Sequence, residues 1–183
     1  MGDFLMAYKD EVIKAMDLLA KDKRTIFLGQ SVVYPGSAIY GTCKEIPGSK
    51  KIELPLIEDM QMGMSIGLSL EGFIPVTIYP RIDFLILAIN QLVNHLDKIG
   101  EMSVGRFKPK VIIRTVIGST KPLYPGLQHC SDYTDALKHM LKNIEVISLT
   151  ESKDIIPAYK YALNREDRKS TLLIEIADLY SGP

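Results

Sequence analysis

The first part of the chain carries apolar residues at three- and four-residue steps, which is the spacing of one face of an amphipathic helix. The pattern predicts a helix over residues 3–21, and its apolar positions are Phe4, Leu5, Val12, Ile13, Met16 and Leu19. A short apolar run at residues 25–29 follows and ends in a glycine, which is typical of a buried parallel strand. The Gly- and Pro-punctuated stretch 30–50 is predicted to be a loop.

Further short apolar runs are predicted to be strands, at residues 51–54, 74–79, 110–114, 145–149 and 171–176. Helical patterns separate most of them, at residues 58–71, 81–99, 132–142 and 152–164. Strands that alternate with helices predict an α/β fold, with three α/β/α layers around a mainly parallel six-stranded sheet. Because no linker, repeat or low-complexity segment interrupts the pattern, residues 1–183 are predicted to form a single domain.

Opposite charges balance along the chain, with 22 Lys and Arg residues against 22 Asp and Glu residues. A balanced chain has no field to attract nucleic acid or an anionic membrane, so neither is expected as a partner. The start of the chain lacks the features of a signal peptide, and no apolar run approaches the roughly 18 residues of a membrane span. Cys43 and Cys130 stand far apart and indicate neither a disulfide framework nor a zinc site. We therefore expect a soluble, cytoplasmic protein.

Candidate site residues follow the predicted strands, because ligands of open α/β sheets bind outside the carboxyl ends of the strands. Glu58 and Asp59 open a predicted helix after the second strand. They are either acids that interact with the dipole of the helix N-terminus or part of a functional site. Gly63, Gly67 and Gly72 punctuate the same helix, which indicates either tight internal packing or the close approach of a subunit or a bound ring.

Two further candidates lie after the third and fourth predicted strands. Phe84 follows the third strand with Pro80 before it, and it is either a stacking wall for a ligand or a core residue. His129 belongs to the long loop before helix 132–142, where it either caps the helix or donates a proton in catalysis. Arg81 and Lys121 are either ligands for a substrate anion or solvated surface charges.

The sequence contains no nucleophile motif, no GxxxxGK phosphate loop and no His and carboxylate cluster with metal-ligand spacing. It nevertheless resembles, over nearly its whole length, the β subunit of the E1 component of 2-oxo-acid dehydrogenases, within the transketolase-like pyrimidine-binding family. The order and spacing of several segments carry the resemblance: Phe27-Leu28-Gly29, Pro55-Leu56-Ile57-Glu58, the glycine helix, Asp83-Phe84 with Asn90-Gln91, Met102-Ser103-Val104-Gly105, Ile113-Arg114 and Gln128-His129.

The resemblance implies that the chain binds the aminopyrimidine ring of thiamine diphosphate. In that family the residue matching Glu58 hydrogen-bonds the ring nitrogen N1′ and helps to activate the cofactor, and the residue matching Phe84 stacks on the ring. The cofactor-binding residues expected here are therefore Glu58, Phe84, Ile57 and Pro80. Glu58 and His129 are the expected catalytic residues, because the residue matching His129 faces the substrate in the family.

The sequence lacks the Gly-Asp-Gly…Asn pattern with which thiamine enzymes bind Mg²⁺ and the diphosphate. The resemblance therefore implies no metal ligand in this chain and a partner subunit that binds both groups, in an α2β2 heterotetramer. Gln30 and Asn90 replace acids that form a proton relay between paired sites in the family, so this relay is expected to be weak or absent. The chain also ends where relatives continue into a domain that docks a lipoyl-bearing partner, so membership of a large oxidative complex is not expected.

The favoured interpretation is the aminopyrimidine-binding subunit of a two-component thiamine-diphosphate enzyme, with the cofactor activated through Glu58. The expected chemistry is that of a transketolase, a 2-oxo-acid decarboxylase or a carboligase, acting on a 2-oxo acid or a ketose. Two alternatives stay open. One is a non-catalytic, degenerate module that binds a partner, which Gln30 and Asn90 favour. The other is the E1 β subunit of an oxidative 2-oxo-acid dehydrogenase.

Overall fold

The computed structural model describes residues 2–118, 120 and 124–180, and it describes side chains from residue 8 onwards. The strands are β1 (Thr25–Gly29), β2 (Lys51–Glu53), β3 (Ile74–Ile78), β4 (Ile112–Ile117), β5 (Glu145–Leu149) and β6 (Thr171–Ile176). The α-helices are α1 (Gly2–Ala20), α2 (Ala38–Cys43), α3 (Glu58–Leu70), α4 (Ile82–Leu85), α5 (Ile99–Met102), α6 (Thr134–Met140) and α7 (Ser152–Asn164). A π-helix spans Gln91–Leu96, and 3-10 helices span Gly48–Lys50, Ile86–Ala88, Leu127–His129 and Ala177–Leu179.

The strands form one six-stranded sheet in the order β2-β1-β3-β4-β6-β5. Every pair of neighbouring strands is parallel. Parallel strands are joined by crossovers that place helices on the faces of the sheet, which is why the strands read as nearly continuous apolar runs in the sequence. The predicted α/β fold with a mainly parallel six-stranded sheet is confirmed.

A separate apolar core lies on each face of the sheet. One core packs α1, α2 and α7 against the sheet, and the other packs α3, α4, the π-helix and α6 against the opposite face. Successive residues of one strand point to opposite faces, so Ile112 of β4 belongs to the first core and Ile113 to the second. These two cores give the three layers that the sequence predicts.

The first core contains a fully buried ion pair. The Arg114 guanidinium donates to both carboxylate oxygens of Glu175, at 2.9 Å from Nε and 3.0 Å from Nη2. The Tyr159 and Tyr180 hydroxyls also donate to this carboxylate. Burial acts to lower the pKa of Arg114, but the Glu175 charge outweighs it and holds that pKa above its usual value. The network connects β4, β6, α7 and the end of the described chain.

Three segments differ most from the sequence predictions. The predicted loop 30–50 contains α2 and a 3-10 helix, and the predicted helix 81–99 is broken into α4, a 3-10 helix, a π-helix and the start of α5. The fourth strand was expected at 110–114 but runs from Ile112 to Ile117. It starts late because the Val111 amide donates to the Ser170 side chain, at 3.0 Å. Within the described residues, no helix is both long and apolar enough to cross a membrane.

Candidate functional site

The connections at the carboxyl edge of the sheet diverge next to β1. The chain leaves β1 towards β2 on one side, whereas β3 lies on the other side of β1 and leads on to β4. In open α/β sheets such a reversal opens a crevice between the two diverging loops. The residues that follow β1 and β3, together with the start of α3, border this crevice.

Gly29 lets β1 approach β3 closely at the crevice. Its φ is +155°, and a Cβ atom at this position would collide with the carbonyl oxygen of Ile78 at the end of β3. Gln61 of α3 fixes the same point, because its amide nitrogen donates to the Thr77 hydroxyl at 2.9 Å and to the Ile78 carbonyl at 3.0 Å. The start of α3 is therefore anchored over the end of β3.

Glu58 is the first residue of α3 and is buried, with 7% of its surface exposed. Among the described residues, the one hydrogen bond to its carboxylate comes from the Gln30 side chain, at 3.2 Å between Nε2 and Oε1. The Tyr79 hydroxyl donates to the Glu58 backbone carbonyl at 3.2 Å. Glu58 thus combines the favourable position at a helix N-terminus with a desolvated carboxylate that has one neutral donor.

Glu53 shapes the loop that carries Gln30, and the sequence patterns gave no role to this residue. Its carboxylate, at the end of β2, accepts hydrogen bonds from three successive amides of the loop after β1. The donors are Ser31 at 2.6 Å, Val32 at 2.9 Å and Val33 at 2.8 Å. Ser31 has a φ of +59°, a conformation that aims successive amides at one acceptor. The sequence gives only a weak indication of this role, because an acid at the end of a predicted strand also suits a solvated turn.

Phe84 and His129 lie against each other across the loops that follow β3 and β4. Their rings meet edge to face, with centroids 5.5 Å apart and planes at 73°. Arg81 holds the His129 segment in place, because its Nη1 donates to the His129 carbonyl oxygen at 2.8 Å. The His129 Nδ1 atom is buried and has no hydrogen-bond partner among the described residues. The ring contact and the backbone hydrogen bond therefore position the imidazole, whereas no described residue bonds to its Nδ1 atom.

The segment from Tyr79 to Arg81 joins these two groups of residues. Tyr79 contacts the backbone of Glu58, and two residues later Arg81 contacts the backbone of His129. Pro80 lies between them and is partly buried. The structure therefore places Glu58, Phe84, His129 and Pro80 at one edge of the sheet. The hydrogen bonds of Tyr79 and Arg81 connect the segments that carry them.

Four other residues that the sequence analysis singled out have different surroundings. Ile57 precedes α3 and is half exposed at 51%, beside Leu56 at 77%. Asn90 is exposed, and its side-chain oxygen accepts a hydrogen bond from Asn94 at 3.0 Å rather than facing Glu58. Arg81 binds backbone carbonyls, and Lys121 lies outside the described residues.

The glycines of α3 do not pack tightly inside the described part of the chain. A Cβ atom at Gly67 or Gly72 would meet nothing within 4 Å, and at Gly63 it would make an ordinary contact of 3.8 Å with the Gln91 side chain. Gly72 has a φ of +94° just after the helix, which explains its identity as a helix-ending glycine. The internal-packing interpretation is therefore wrong for Gly67, and its surface is open.

The described residues contain no group of three or more His, Cys, Asp or Glu side chains that could hold a metal ion. The candidate site instead offers a buried carboxylate, a partly buried aromatic ring and a partly buried imidazole. This set suits a planar heterocycle that presents both hydrogen-bonding atoms and an aromatic face.

Comparison with known proteins gives consistent relatives, although no family model matches the chain. It is 24% identical over 167 residues to the pyruvate dehydrogenase E1 component subunit beta of Gracilaria tenuistipitata var. liui, covering 89% of this chain and 50% of that protein. It is 28% identical over 126 residues to the 3-methyl-2-oxobutanoate dehydrogenase subunit beta of Mycobacterium tuberculosis (strain CDC 1551 / Oshkosh), covering 66% of this chain and 34% of that protein. The chain thus spans half or less of the length of these relatives.

Among solved structures, the chain is similar to one described as a split gene transketolase, inactive beta4 tetramer. The TM-score is 0.66 at 17% sequence identity, over 92% of this chain and 49% of that chain. At this identity the likeness shows a shared α/β fold.

Proposed function

We propose that this chain is the aminopyrimidine-binding subunit of a two-component thiamine-diphosphate enzyme. The chain is a homologue of E1 β subunits of 2-oxo-acid dehydrogenases, and it shares the fold of a split-gene transketolase β chain. The observation that carries the proposal is the buried Glu58 carboxylate at the carboxyl edge of the sheet. An acid that is removed from water at this place requires a partner, and Gln30 supplies one neutral donor among the described residues.

Glu58 holds and transfers a proton at the ring nitrogen N1′ in this proposal. Glu58 is only 7% exposed, so little water competes for its carboxyl group, and the hydrogen bond that the protonated carboxyl donates to a ring nitrogen is strong. Gln30 orients the carboxylate without adding charge, because a carboxamide is neutral at every pH of interest. Thiamine diphosphate, when bound, supplies the nucleophilic carbon and the electron sink for breaking or forming a carbon–carbon bond.

Phe84 and His129 act on the other side of the site. Phe84 presents an aromatic face against which the pyrimidine ring stacks, and Ile57 and Pro80 add apolar contact. His129 is partly exposed, and an imidazole is a side chain suited to exchange a proton with a substrate near neutral pH. The Phe84 ring contact and the Arg81 hydrogen bond fix the position of His129.

A partner subunit supplies Mg²⁺ and the diphosphate site in the proposed enzyme, as in an α2β2 heterotetramer. The described residues hold no cluster of metal ligands, and the sequence has no Gly-Asp-Gly…Asn pattern. Exposed apolar side chains surround the site, with Leu56 77% and Leu127 86% exposed, and they suit a surface that a second protein covers. The related transketolase structure is described as an inactive tetramer of β chains, which agrees with a requirement for a partner.

The proposed reaction is the cleavage or formation of a carbon–carbon bond in a 2-oxo acid or a ketose. The relatives divide between dehydrogenases of 2-oxo acids and a transketolase. A reducing cytoplasm is the proposed compartment, which suits the two free cysteines Cys43 and Cys130.

A second candidate function is a non-catalytic module that keeps the fold and the partner surface. Gln30 favours it, because an amide beside Glu58 cannot pass a proton as an acid would. Glu58 itself, buried and oriented, favours the catalytic proposal. The two functions differ in one measurable property, which is activation of the cofactor.

The test uses the complex of the natural full-length protein with its partner subunit and compares Glu58→Ala, Glu58→Gln and Glu71→Gln. Glu71 is an exposed acid at the other end of α3 and serves as the control. We expect Glu58→Ala to slow exchange of the thiazolium C2 proton by about 100-fold or more, the scale of a lost acid–base group. Glu58→Gln slows exchange while cofactor binding persists, and Glu71→Gln leaves both unchanged. Exchange that survives Glu58→Ala contradicts the catalytic proposal.

A further inference from the structure

A cavity opens at the amino edge of the sheet, the edge opposite to Glu58. It has a volume of about 340 Å³, and the loops before β4 and β6 and the end of α3 form its walls. Three cationic side chains line it, those of Arg106, Lys108 and Arg168, and no Asp or Glu residue does. The chain as a whole has balanced charge, so this concentration of cations is a local feature.

These three cations have no ion pair or side-chain hydrogen bond with any described residue. Other arginines at the same edge are paired: Arg24 lies 2.6 Å from the Asp22 carboxylate, and Arg165 lies 2.8 Å from the Asp167 carboxylate. The cavity therefore carries positive charge that the described protein leaves uncompensated.

Lys110 is a further cation near this cavity, and it is buried. Its ammonium group donates to the carbonyl oxygens of Leu163 and Arg165, and the latter distance is 2.9 Å. Burial lowers the pKa of Lys110, and the nearby charges of Arg24 and Arg168 lower it further. Arg168, which lines the cavity, is therefore close enough to Lys110 to affect it electrostatically.

A second cavity of about 260 Å³ adjoins the first and shares Gly105, Phe107, Lys108 and Arg168 with it. Leu96, Ile99 and Ile144 contribute apolar side chains to its wall. Its acids are already engaged within the protein. Asp97 accepts the amides of residues 142–144, Glu101 accepts the Asn143 side chain at 2.9 Å, and Asp167 pairs with Arg165 at 2.8 Å.

We propose that the joined cavities bind a small organic anion, whose phosphate or carboxylate group lies among Arg106, Lys108 and Arg168 while its apolar part enters the second cavity. Arginine and lysine side chains recognise such oxyanions by charge-assisted hydrogen bonds. Phe107, at the boundary and 52% exposed, supplies an aromatic surface for the apolar part. The site is separate from the carboxyl edge of the sheet, and it does not depend on the function proposed above.

The test measures binding of phenyl phosphate to the natural full-length protein by calorimetry, with inorganic phosphate, phenol and benzoate as comparison ligands. We expect phenyl phosphate to bind at least about tenfold more tightly than inorganic phosphate or phenol alone, because only it occupies both cavities. Binding should weaken as the salt concentration rises. If benzoate binds as tightly as phenyl phosphate, the proposal holds and the site accepts a carboxylate as well as a phosphate.

Substitutions inside and outside the cavities distinguish binding at this site from non-specific attraction of anions to the protein surface. Arg168→Gln and Lys108→Gln should each weaken phenyl phosphate at least about fivefold, and Phe107→Ala should remove most of its advantage over inorganic phosphate. Lys160→Gln is the control, because Lys160 is an exposed lysine on α7 outside both cavities. Saturable binding that Arg168→Gln and Lys108→Gln leave unchanged overturns the proposal. Failure of both phenyl phosphate and benzoate to bind overturns it as well.

Discussion

At the scale of single residues, the candidate site depends on a buried acid with a neutral neighbour. Gln30 donates to Glu58 at 3.2 Å, and Glu53 fixes the loop that presents Gln30. A second acid at position 30 would place like charges within hydrogen-bonding distance, which is unfavourable in a desolvated place. The amide therefore keeps Glu58 oriented without repulsion, and it also removes any acid–base exchange through position 30.

The ion pair between Arg114 and Glu175 gives a stability prediction. Both side chains are fully buried, so removing one partner leaves an uncompensated charge. We expect Glu175→Ala to lower the free energy of unfolding by about 3–5 kcal/mol in a denaturant titration. The control is Glu151→Ala, since the Glu151 pair with Lys153 is exposed and contributes little to stability. Equal effects of the two substitutions would contradict this interpretation of the core.

Asp22 gives a prediction for the pH dependence of stability. Its hydrogen bonds from Arg24 lower the pKa of this carboxyl to about 2, against about 3.9 in an unfolded chain. The contribution of Asp22 to stability is therefore fully present above about pH 4 and is lost as the pH falls through 2. Because Arg24 is largely exposed, we expect Asp22→Asn to cost at most about 1 kcal/mol at pH 7.

Melting curves from pH 7 down to the lowest pH at which the protein stays folded check this prediction. The difference between the natural protein and Asp22→Asn should shrink as the pH falls. Asp10→Asn, which removes an exposed acid from α1, controls for the change in net charge. A difference that stays constant with pH would show that the pairing with Arg24 does not stabilise the fold.

At the scale of the elements, apolar runs predicted the six strands because parallel strands buried on both faces leave few polar positions. The fourth strand was misplaced because it continues through Arg114 and Thr115, which read as the end of a strand. Arg114 is tolerated there because Glu175 pairs with it from 61 residues away, and local patterns do not reveal such a pairing. The breaks within residues 81–99 were also missed, since turns of 3-10 and π-helix interrupt the same amphipathic spacing.

The same limit applies to the candidate site. Strand ends predicted which loops contain the candidate residues, because the carboxyl ends of parallel strands share one edge. The edge-to-face contact of Phe84 with His129 and the role of Arg81 depend on loops that no local pattern describes. Glu53 was missed for the same reason, since its three amide donors lie 20 to 22 residues earlier in the chain.

Helix α3 gives a prediction about its open glycine. Gly67 lies in the helix with nothing beside it among the described residues, so Gly67→Ala should stabilise the isolated chain by about 1 kcal/mol through helix propensity. Gly29→Ala is the opposite case, because its Cβ atom would collide with the Ile78 carbonyl. Denaturant titration of both variants measures the difference. A loss of stability in Gly67→Ala would mean that another part of the chain packs against this surface.

At the scale of the whole molecule, the two edges of the sheet carry different chemistry. The carboxyl edge presents the Glu58 carboxylate, aromatic and imidazole rings and exposed apolar side chains. The amino edge presents two cavities lined by Arg106, Lys108 and Arg168, which form no ion pair with any described residue. The chain spans half or less of the length of the curated relatives it matches. In the proposed enzyme, a partner subunit completes the active site at the carboxyl edge.

The most direct measurement of the central claim is nitrogen-15 NMR of labelled thiamine diphosphate in the complex with the partner subunit. The account predicts that the N1′ resonance of the natural protein moves towards that of a hydrogen-bonded, proton-sharing pyrimidine nitrogen. In the Glu58→Ala complex, with cofactor still bound, the resonance should return towards that of the free cofactor. An N1′ resonance that is the same in both complexes would show that Glu58 does not meet the ring and would contradict the account.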